Sequence, residues 1–251
     1  MTPKFLATRS AGGGCADGEP NIVPLISLLP SGDEPDLLFF GNFLLRKSIA
    51  NLEADHRVGI LVITPELHGW RLRGEFVEFQ RSGPYVERQI SGSLLRYNAY
   101  TGVRNAGLIR VIEVEGSFAI SKLRVVSDYA LARLSGRGSV AQVGFALPLP
   151  VRKEFGQLQA VKVLAWVGPD GWPTTVPALS LQPAGSSVLV TWLSGDYPRP
   201  PHGGRVAGNI LTYDAVSYQV KGTWADHGRS GALTVSEVYA GGPPYPGGRV
   251  A

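Results

Sequence analysis

The chain has 251 residues, 24 basic and 20 acidic, with a net charge of +4 and a mean hydropathy of +0.05. With 44% apolar residues it is neither a disordered nor a collagen-like chain. Its 32 Gly and 19 Pro favour turns and short strands over long helices, and its scattered basic residues lack the contiguous basic face that nucleic acid requires.

Cellular location is suggested by what the sequence lacks. No apolar run approaches the roughly 20 residues that cross a bilayer, and Met1–Ser10 has no apolar centre of signal-peptide length. A single cysteine, Cys15, excludes an intrachain disulfide and a multi-cysteine metal site, and the four histidines show no metal-ligand spacing. We expect a cytoplasmic protein with no metal site, no membrane contact and no nucleic acid partner.

Six segments of the N-terminal half are predicted strands, because each is short, β-branched or aromatic, and bounded by Gly, Pro, Asp or Ser. Asp17-Gly18, between the first two, predicts a hairpin turn. The predicted strands are Phe5–Thr8, Asn21–Leu29, Leu37–Phe40, Val58–Thr64, Trp70–Phe79 and Leu108–Ile120.

Between Asn42 and Asp55 the pattern changes to helical spacing, which predicts a short helix directly after a strand. Tyr85–Tyr100 and Ser127–Leu134 are two further predicted helices, the second with Ser127 as its N-cap. In the first helix the residues that recur at helical spacing are Leu44, Leu45, Ser48, Ile49 and Leu52.

The chain contains an internal repeat. Asp17–Leu28 aligns without gaps with Asp170–Leu181, with seven of twelve positions identical at an offset of 153. Trp70–Phe76 resembles Tyr218–Trp224 at an offset of 148, and a third short match keeps that offset. Because order and spacing are both kept, we predict two copies of one domain.

Six strands and one or two short helices, present twice, predict a mainly β fold of two small β-barrels. The Pro- and Gly-bearing stretch Ser135–Pro150 marks the expected boundary. We therefore place copy one at residues 1–138 and copy two at residues 139–251.

Basic residues open the first predicted helix. Arg46, Lys47 and Ser48 fall in its first turn, where backbone N–H groups are unpaired and the helix dipole is positive. A phosphate would resolve the unfavourable placement of cations there, since it accepts hydrogen bonds from the hydroxyl, from a basic side chain and from the free amides. The alternative is that Arg46 and Lys47 are solvated surface charges.

Five segments in this order resemble the FMN-binding split-barrel superfamily, which includes pyridoxamine 5'-phosphate oxidase and small bacterial FMN-binding proteins. They are Pro20–Pro24, Gly41-Asn42, Arg46–Leu52, Arg57-Val58 and Gly69–Gly74. The resemblance implies a mainly β fold with short helices, in which two tandem split β-barrels form an intrachain pseudo-dimer. It also implies FMN as the cofactor, bound between the barrels, so we expect a pseudo-dimeric monomer or a homodimer.

The resemblance assigns roles to particular residues. Lys47 and Ser48 would hold the FMN phosphate, with Arg46 beside them, while Asn42 and Asn51 would make polar contacts. The isoalloxazine ring would face the backbone of Ile22, Val23, Pro24, Phe39, Phe40 and Gly41.

Copy two departs from this pattern. Asp196–Gly204 stands where copy one has its predicted helix, and three prolines exclude an ordinary helix there. We therefore predict a degenerate second copy that forms the opposite side of a single FMN site.

The resemblance implies an FMN-binding flavoprotein, an oxidoreductase acting on an unidentified small-molecule substrate or redox partner. The Gly- and Pro-rich end Ala240–Ala251 lacks the Arg and His pattern of pyridoxamine 5'-phosphate oxidase, so we expect another substrate. Two alternatives stay open. One is a non-catalytic FMN electron carrier or cofactor-storage protein, and the other is a flavin-free tandem barrel that binds haem, a deazaflavin or a protein partner.

Overall fold

A computed structural model describes residues 2–10, 18–42, 45–92, 103–135, 145–193, 196–241 and 248–251. Over these ranges the chain forms fourteen strands and four helices. The strands make two antiparallel sheets of seven strands each. This arrangement confirms the predicted mainly β class. Cys15 and Asp17 lie outside the described residues.

The first half of the molecule contains one sheet and two helices. The strand order in the sheet is β2-β1-β5-β6-β7-β4-β3. The strands are β1 Lys4–Arg9, β2 Pro20–Pro24, β3 Leu29–Pro30, β4 Leu37–Gly41, β5 Arg57–Ile63, β6 His68–Gln80 and β7 Ala106–Ala119, and the helices are α1 Arg46–Ala54 and α2 Pro84–Ser91.

The second half repeats this arrangement after a connecting helix, α3 Lys122–Ser135. Its order, β9-β8-β12-β13-β14-β11-β10, matches that of the first sheet strand for strand. Its elements are α4 Leu149–Phe155, β8 Val161–Val167, β9 Pro173–Pro177, β10 Gln182–Pro183, β11 Val188–Trp192, β12 Arg205–Leu211, β13 Ser217–His227 and β14 Ser230–Ala240.

The sequence repeat corresponds to equivalent strands. Pro20 and Pro173 open β2 and β9 at the offset of 153, whereas Arg57 and Arg205 open β5 and β12 at the offset of 148. The offset therefore changes in the segment that contains α1 in the first half. In the second half, residues 196–204 contain no helix, as their prolines predicted.

The structure also shows a repeat that the sequence comparison missed. Lys4-Phe-Leu-Ala7 and Lys162-Val-Leu-Ala165 lie at equivalent places in β1 and β8, because Ala7 pairs with Ile22 and Ala165 pairs with Thr175. Only four residues long, this match is too short to stand out without the strand register.

Each sheet curls into a barrel. Strands β2 and β3 stand at opposite ends of the order, yet only residues 25–28 separate them. Six strand spacings in a flat sheet would span about 29 Å, whereas this short link reaches about 18 Å at most. The predicted single strand Asn21–Leu29 was therefore wrong, because the chain turns the barrel corner within it.

One serine in each half closes that corner. The Ser27 hydroxyl accepts a hydrogen bond from the Gly41 N–H and donates one to the Gly41 carbonyl, both at 3.2 Å. Ser180 makes the same two bonds with Trp192, both at 2.9 Å. The serine shared by the two sequence copies thus ties the β2–β3 link to the end of β4, and the β9–β10 link to the end of β11.

The predicted helices are found with changed bounds. Helix α1 agrees with the helical spacing, and α2 ends at Ser91, while residues 93–102 lie outside the described ranges. Helix α3 begins five residues before Ser127, so the predicted cap was wrong. The Ser121 hydroxyl instead accepts the Arg124 N–H at 3.2 Å, and Ser127 donates to the Arg124 carbonyl inside the helix. Helix α4 was not predicted.

The two halves pack through reciprocal contacts. Strand β2 lies on β8 and β12, and its equivalent β9 lies on β1 and β5. The contact is a core of buried apolar residues from both halves. It contains Phe5, Ala7, Ile22, Leu61 and Ile63 from the first half and Val163, Ala165, Ala207 and Leu211 from the second. Such reciprocity is what a twofold dimer interface would show, here formed within one chain.

Helix α3 follows the first sheet but packs on the second. Ala132 is wholly buried against Val188 and Val190, and the Tyr129 hydroxyl donates to the Gly156 carbonyl at 2.6 Å. The division at residue 138 stays a prediction. In the described ranges no helix is both long and apolar enough to cross a membrane.

Candidate anion-binding site

The first turn of α1 has no side-chain cap. Leu45 occupies the N-cap position, and no acidic residue lies in the first turn. Arg46 is exposed, Lys47 is half-buried and Ser48 is buried. The free N–H groups and the positive end of the helix dipole therefore face the same region as two cations.

A buried polar cluster fixes α1 to the sheet. The Asn21 amide donates to the Ser48 hydroxyl at 3.1 Å, and the Asn51 amide donates to the Thr8 hydroxyl at 2.9 Å. From the second half, Gln219 donates to the Asn21 side-chain oxygen at 3.2 Å. Ser48 is thus used as an acceptor, and its own O–H is the group with which it can bind an anion.

Two lysines from opposite halves meet at Tyr239. The Lys47 ammonium lies 4.4 Å from the centre of the Tyr239 ring, and the Lys221 ammonium lies 5.9 Å from it. Lys221 is only 1% exposed. Burial, reinforced by the nearby charge of Lys47, lowers the pKa of Lys221 to about 8. Like charges in this position are unfavourable unless an anion joins them.

Arg205 completes a set of three cations, which we call the basic cluster: Lys47, Arg205 and Lys221. Two carboxylates face it. Glu19 lies 3.2 Å from both Lys221 and Arg205, and Glu237 lies 2.8 Å from Arg205. Burial alone would raise the pKa of Glu19, but Lys221 and Arg205 hold it below the ordinary value. The cluster keeps an excess of one positive charge.

Tyr239 is held in place by one of these carboxylates. Its hydroxyl donates to Glu237 at 2.6 Å. Burial, together with this carboxylate, raises the pKa of Tyr239 to about 12, so the phenol stays neutral. A neutral ring with a fixed hydroxyl offers its π face to both lysines.

The equivalent place in the other half is arranged differently. Arg57 and Arg73 stand at the positions of Arg205 and Lys221. Arg57 makes a bidentate salt bridge to Asp55, at 2.7 and 2.9 Å. Arg73 pairs with both Glu115 and Asp170, each at 2.7 Å. Each guanidinium is thus matched by carboxylates, and residues 196–204 place no helix end there.

The backbone of β2 lies between the halves. Ile22 is wholly buried in the core that joins them, and its carbonyl accepts a hydrogen bond from the Asn209 amide at 3.3 Å. Val23 and Pro24 are half-buried, with Val23 packed against the first barrel. These residues lie on the strand that begins directly after Glu19.

The residues of β4 lie in other surroundings. Phe39 packs on the Tyr85 ring at 5.0 Å, and Phe40 packs on Phe79 at 6.2 Å, both wholly buried. Gly41 is bonded through its backbone to Ser27, and the Asn42 N–H donates to the Asn105 carbonyl. The flavin contact of Phe39, Phe40 and Gly41 and the polar contact of Asn42 stay predictions.

Sequence reasoning missed the residues that the second half and the β1–β2 loop bring to the site. A signal was present, because the repeat aligns Lys221 with Arg73, so both copies place a basic residue at one strand position. The missed residues are Glu19, Arg205, Gln219, Lys221, Glu237 and Tyr239.

A shallow cavity lies elsewhere, between α3 and β11 of the second half. Among its lining residues are Ile120, Arg124, Asp128, Leu179, Trp192 and Tyr197. It shares no residue with the basic cluster and is therefore separate from the anion site.

Comparison with known proteins gave structural matches only. No family model and no curated protein matches the chain. Among solved structures, Group A Streptococcus HupZ is 24% identical over 48% of this chain and 86% of its own, with a TM-score of 0.35. An FMN-binding protein from Syntrophomonas wolfei is 16% identical over 47% and 78%, with a TM-score of 0.38.

The heme storage protein HutZ from Vibrio cholerae is 17% identical over 47% of this chain and 84% of its own, with a TM-score of 0.32. The two curled seven-stranded sheets described above agree with the predicted fold of two tandem barrels. Each match covers about half of the chain, and at these values none bears on ligand or reaction.

Proposed function

We propose that the chain binds FMN at the junction of its two halves, with the phosphate held by the basic cluster and the first turn of α1. The observation that supports this most directly is the meeting of Lys47 and Lys221 at one aromatic ring. A pair of ammonium groups, one of them buried, is stabilised when a dianion joins them.

The residues fit a phosphate group. Lys47, Lys221 and Arg205 supply charge, the Ser48 O–H supplies a donor, and the uncapped amides of α1 supply further donors. Arg46, exposed beside them, adds positive potential. Asn51 would act indirectly, because its amide donates a hydrogen bond to Thr8 and holds α1 in place.

The flavin ring would lie along the backbone of Ile22, Val23 and Pro24 in β2, a strand that contacts the second half. When bound, FMN supplies electron and hydride transfer. The chain then has three tasks, which are to bind the phosphate, to orient the ring and to exclude water. We propose an oxidoreductase with an unidentified substrate.

The first test is the absorbance spectrum of the purified protein, with mass analysis of any released cofactor and titration with added FMN. We expect a flavin spectrum, or FMN uptake with one site per chain. A colourless preparation that takes up no FMN would overturn the proposal. Turnover with NADH or NADPH then separates an enzyme from an electron carrier.

The second test is the Lys47→Ala, Ser48→Ala double variant. Each lost charge-assisted contact is expected to weaken FMN binding by about 1 to 3 kcal/mol. The control is Arg199→Ala, in the segment that stands where α1 stands in the first half, and it should leave the affinity unchanged. Equal affinity in the double variant would show that the phosphate binds elsewhere.

A further inference from the structure

The side chain of Glu19 lies inside the basic cluster. One carboxylate oxygen is 3.2 Å from the Lys221 ammonium, and the other is 3.2 Å from the Arg205 guanidinium. These are the two groups that the second half offers to a phosphate. A carboxylate and a phosphate oxygen seek the same partners, so both cannot make these contacts at once.

The backbone of Glu19 is fixed while its side chain is not enclosed. Its N–H donates to the Ser10 hydroxyl at 3.1 Å, and its carbonyl accepts the Ser10 N–H at 2.9 Å. The side chain remains 37% exposed, in contrast to the buried Lys221. Rotation about the side-chain bonds can therefore move the carboxylate into water without moving β2.

The equivalent loop of the second half provides a comparison. Asp170, in the β8–β9 turn, pairs with Arg73 of the first half at 2.7 Å. That arginine also has Glu115 at 2.7 Å. Both loops thus send a carboxylate across to the other half, but only Glu19 faces a lysine with a second lysine beside it.

We propose that Glu19 competes with the ligand phosphate at this site, because its carboxylate holds Lys221 and Arg205 until a terminal phosphate monoester displaces it. The inference rests on the proposed function. A dianion can replace the negative charge of Glu19 beside Lys221 and Arg205 and can also pair with Lys47. A monoanionic diester or an unphosphorylated ligand cannot do both. The favoured ligands are therefore those that end in a phosphate monoester.

The test compares FMN with riboflavin, which has the same ring system and no phosphate. The ratio of the riboflavin Kd to the FMN Kd isolates the contribution of the phosphate. In Glu19→Gln the competing charge is absent while the size is kept, so we expect this ratio to rise about tenfold over the wild type. Flavin fluorescence quenching measures both constants.

Two controls accompany this variant. Asp170→Asn removes the corresponding carboxylate of the other loop and should leave the ratio at the wild-type value. Glu19→Asp keeps the charge and should stay within about twofold of the wild type, as expected for a carboxylate that still competes. Circular dichroism confirms that each variant is folded.

The outcomes separate the two proposals. If the wild type prefers FMN but the ratio of the riboflavin Kd to the FMN Kd is unchanged or smaller in Glu19→Gln, the proposed role of Glu19 is wrong. The proposed FMN site is then unaffected. If neither the wild type nor Glu19→Gln gains affinity from the phosphate, the proposed function fails as well. FMN binding that is detected only in Glu19→Gln supports the role of Glu19 but overturns the proposed function, because the wild type then takes up no FMN.

Discussion

Lys162 is a buried amine without a carboxylate partner among the contacts described. It is 0% exposed, its ammonium is 3.5 Å from the Leu179 carbonyl, and it lies 5.3 Å from the centre of the Tyr129 ring. Burial lowers the pKa of Lys162 from 10.5 to about 7. The folded state therefore binds this proton much less tightly than the unfolded chain.

The sign of the effect on stability follows from that shift. The penalty for burying the amine is fully present below pH 7 and disappears as the pH rises through the unfolded pKa of 10.5. We expect Lys162→Met to raise the free energy of unfolding at pH 7 by about 1 to 4 kcal/mol.

Urea unfolding at pH 7 and pH 10 provides the measurement. The advantage of Lys162→Met should shrink at the higher pH, because the folded wild-type amine is then neutral and pH 10 lies close to the unfolded pKa of 10.5, so little of the burial penalty remains. A variant that is less stable than the wild type at pH 7 would show that the charged amine contributes favourable contacts.

At the scale of the elements, the corner serines are the connections that keep each sheet closed. Ser180 is buried and also lies 2.8 Å from the Thr191 hydroxyl, whereas Ser27 is half-buried. Both bond a backbone N–H and its carbonyl, groups that are costly to leave unpaired when buried.

We expect Ser27→Ala to lower the free energy of unfolding by about 1 kcal/mol and Ser180→Ala by about 2 to 3 kcal/mol. The exposed Ser91 on α2 supplies a control, since Ser91→Ala removes a hydroxyl bonded only within its own helix. Thermal unfolding ranks the three variants. Equal losses for Ser180→Ala and Ser91→Ala would refute a closing role for the corner serine.

Local pattern predicted most elements because strand alternation and helical spacing are short-range signals. The β2–β3 corner could not be predicted in this way, since Leu25 and Leu28 are as apolar as the strand residues beside them and are buried in the barrel. Helix α4 was missed because its Pro150 resembles a breaker, although proline is well tolerated in a first helical turn.

On the scale of the whole molecule, the anion site depends on how the two halves face each other. Glu19 and Lys221 are 202 positions apart in the chain. No local pattern can pair residues so distant, and only the reciprocal packing of β2 and β9 brings them together. For this reason the sequence predicted the α1 side of the site and missed the other side.

The two halves approach each other closely at Gly59 on β5. A Cβ there would lie 2.2 Å from the Pro173 carbonyl oxygen, closer than any side chain allows. We expect Gly59→Ala to push the halves apart and to lower the free energy of unfolding by about 1 to 3 kcal/mol. FMN affinity should fall with it, since both sides of the site would separate.

Gly116→Ala is the matched control, because a Cβ at that strand position meets only the Arg71 guanidinium at 3.8 Å. It should leave both unfolding and FMN titration close to the wild type. If Gly59→Ala weakens stability without any change in affinity, the ligand site does not depend on the spacing between the halves.

A fused pair of barrels also escapes a constraint that identical subunits obey. In a homodimer, any substitution appears at both equivalent sites of the interface, so the two sites cannot change independently. Here Arg73 and Lys221 hold corresponding positions but have different neighbours. The Arg73 side can therefore hold the two barrels together permanently, while the Lys221 side keeps charges that a ligand can bind.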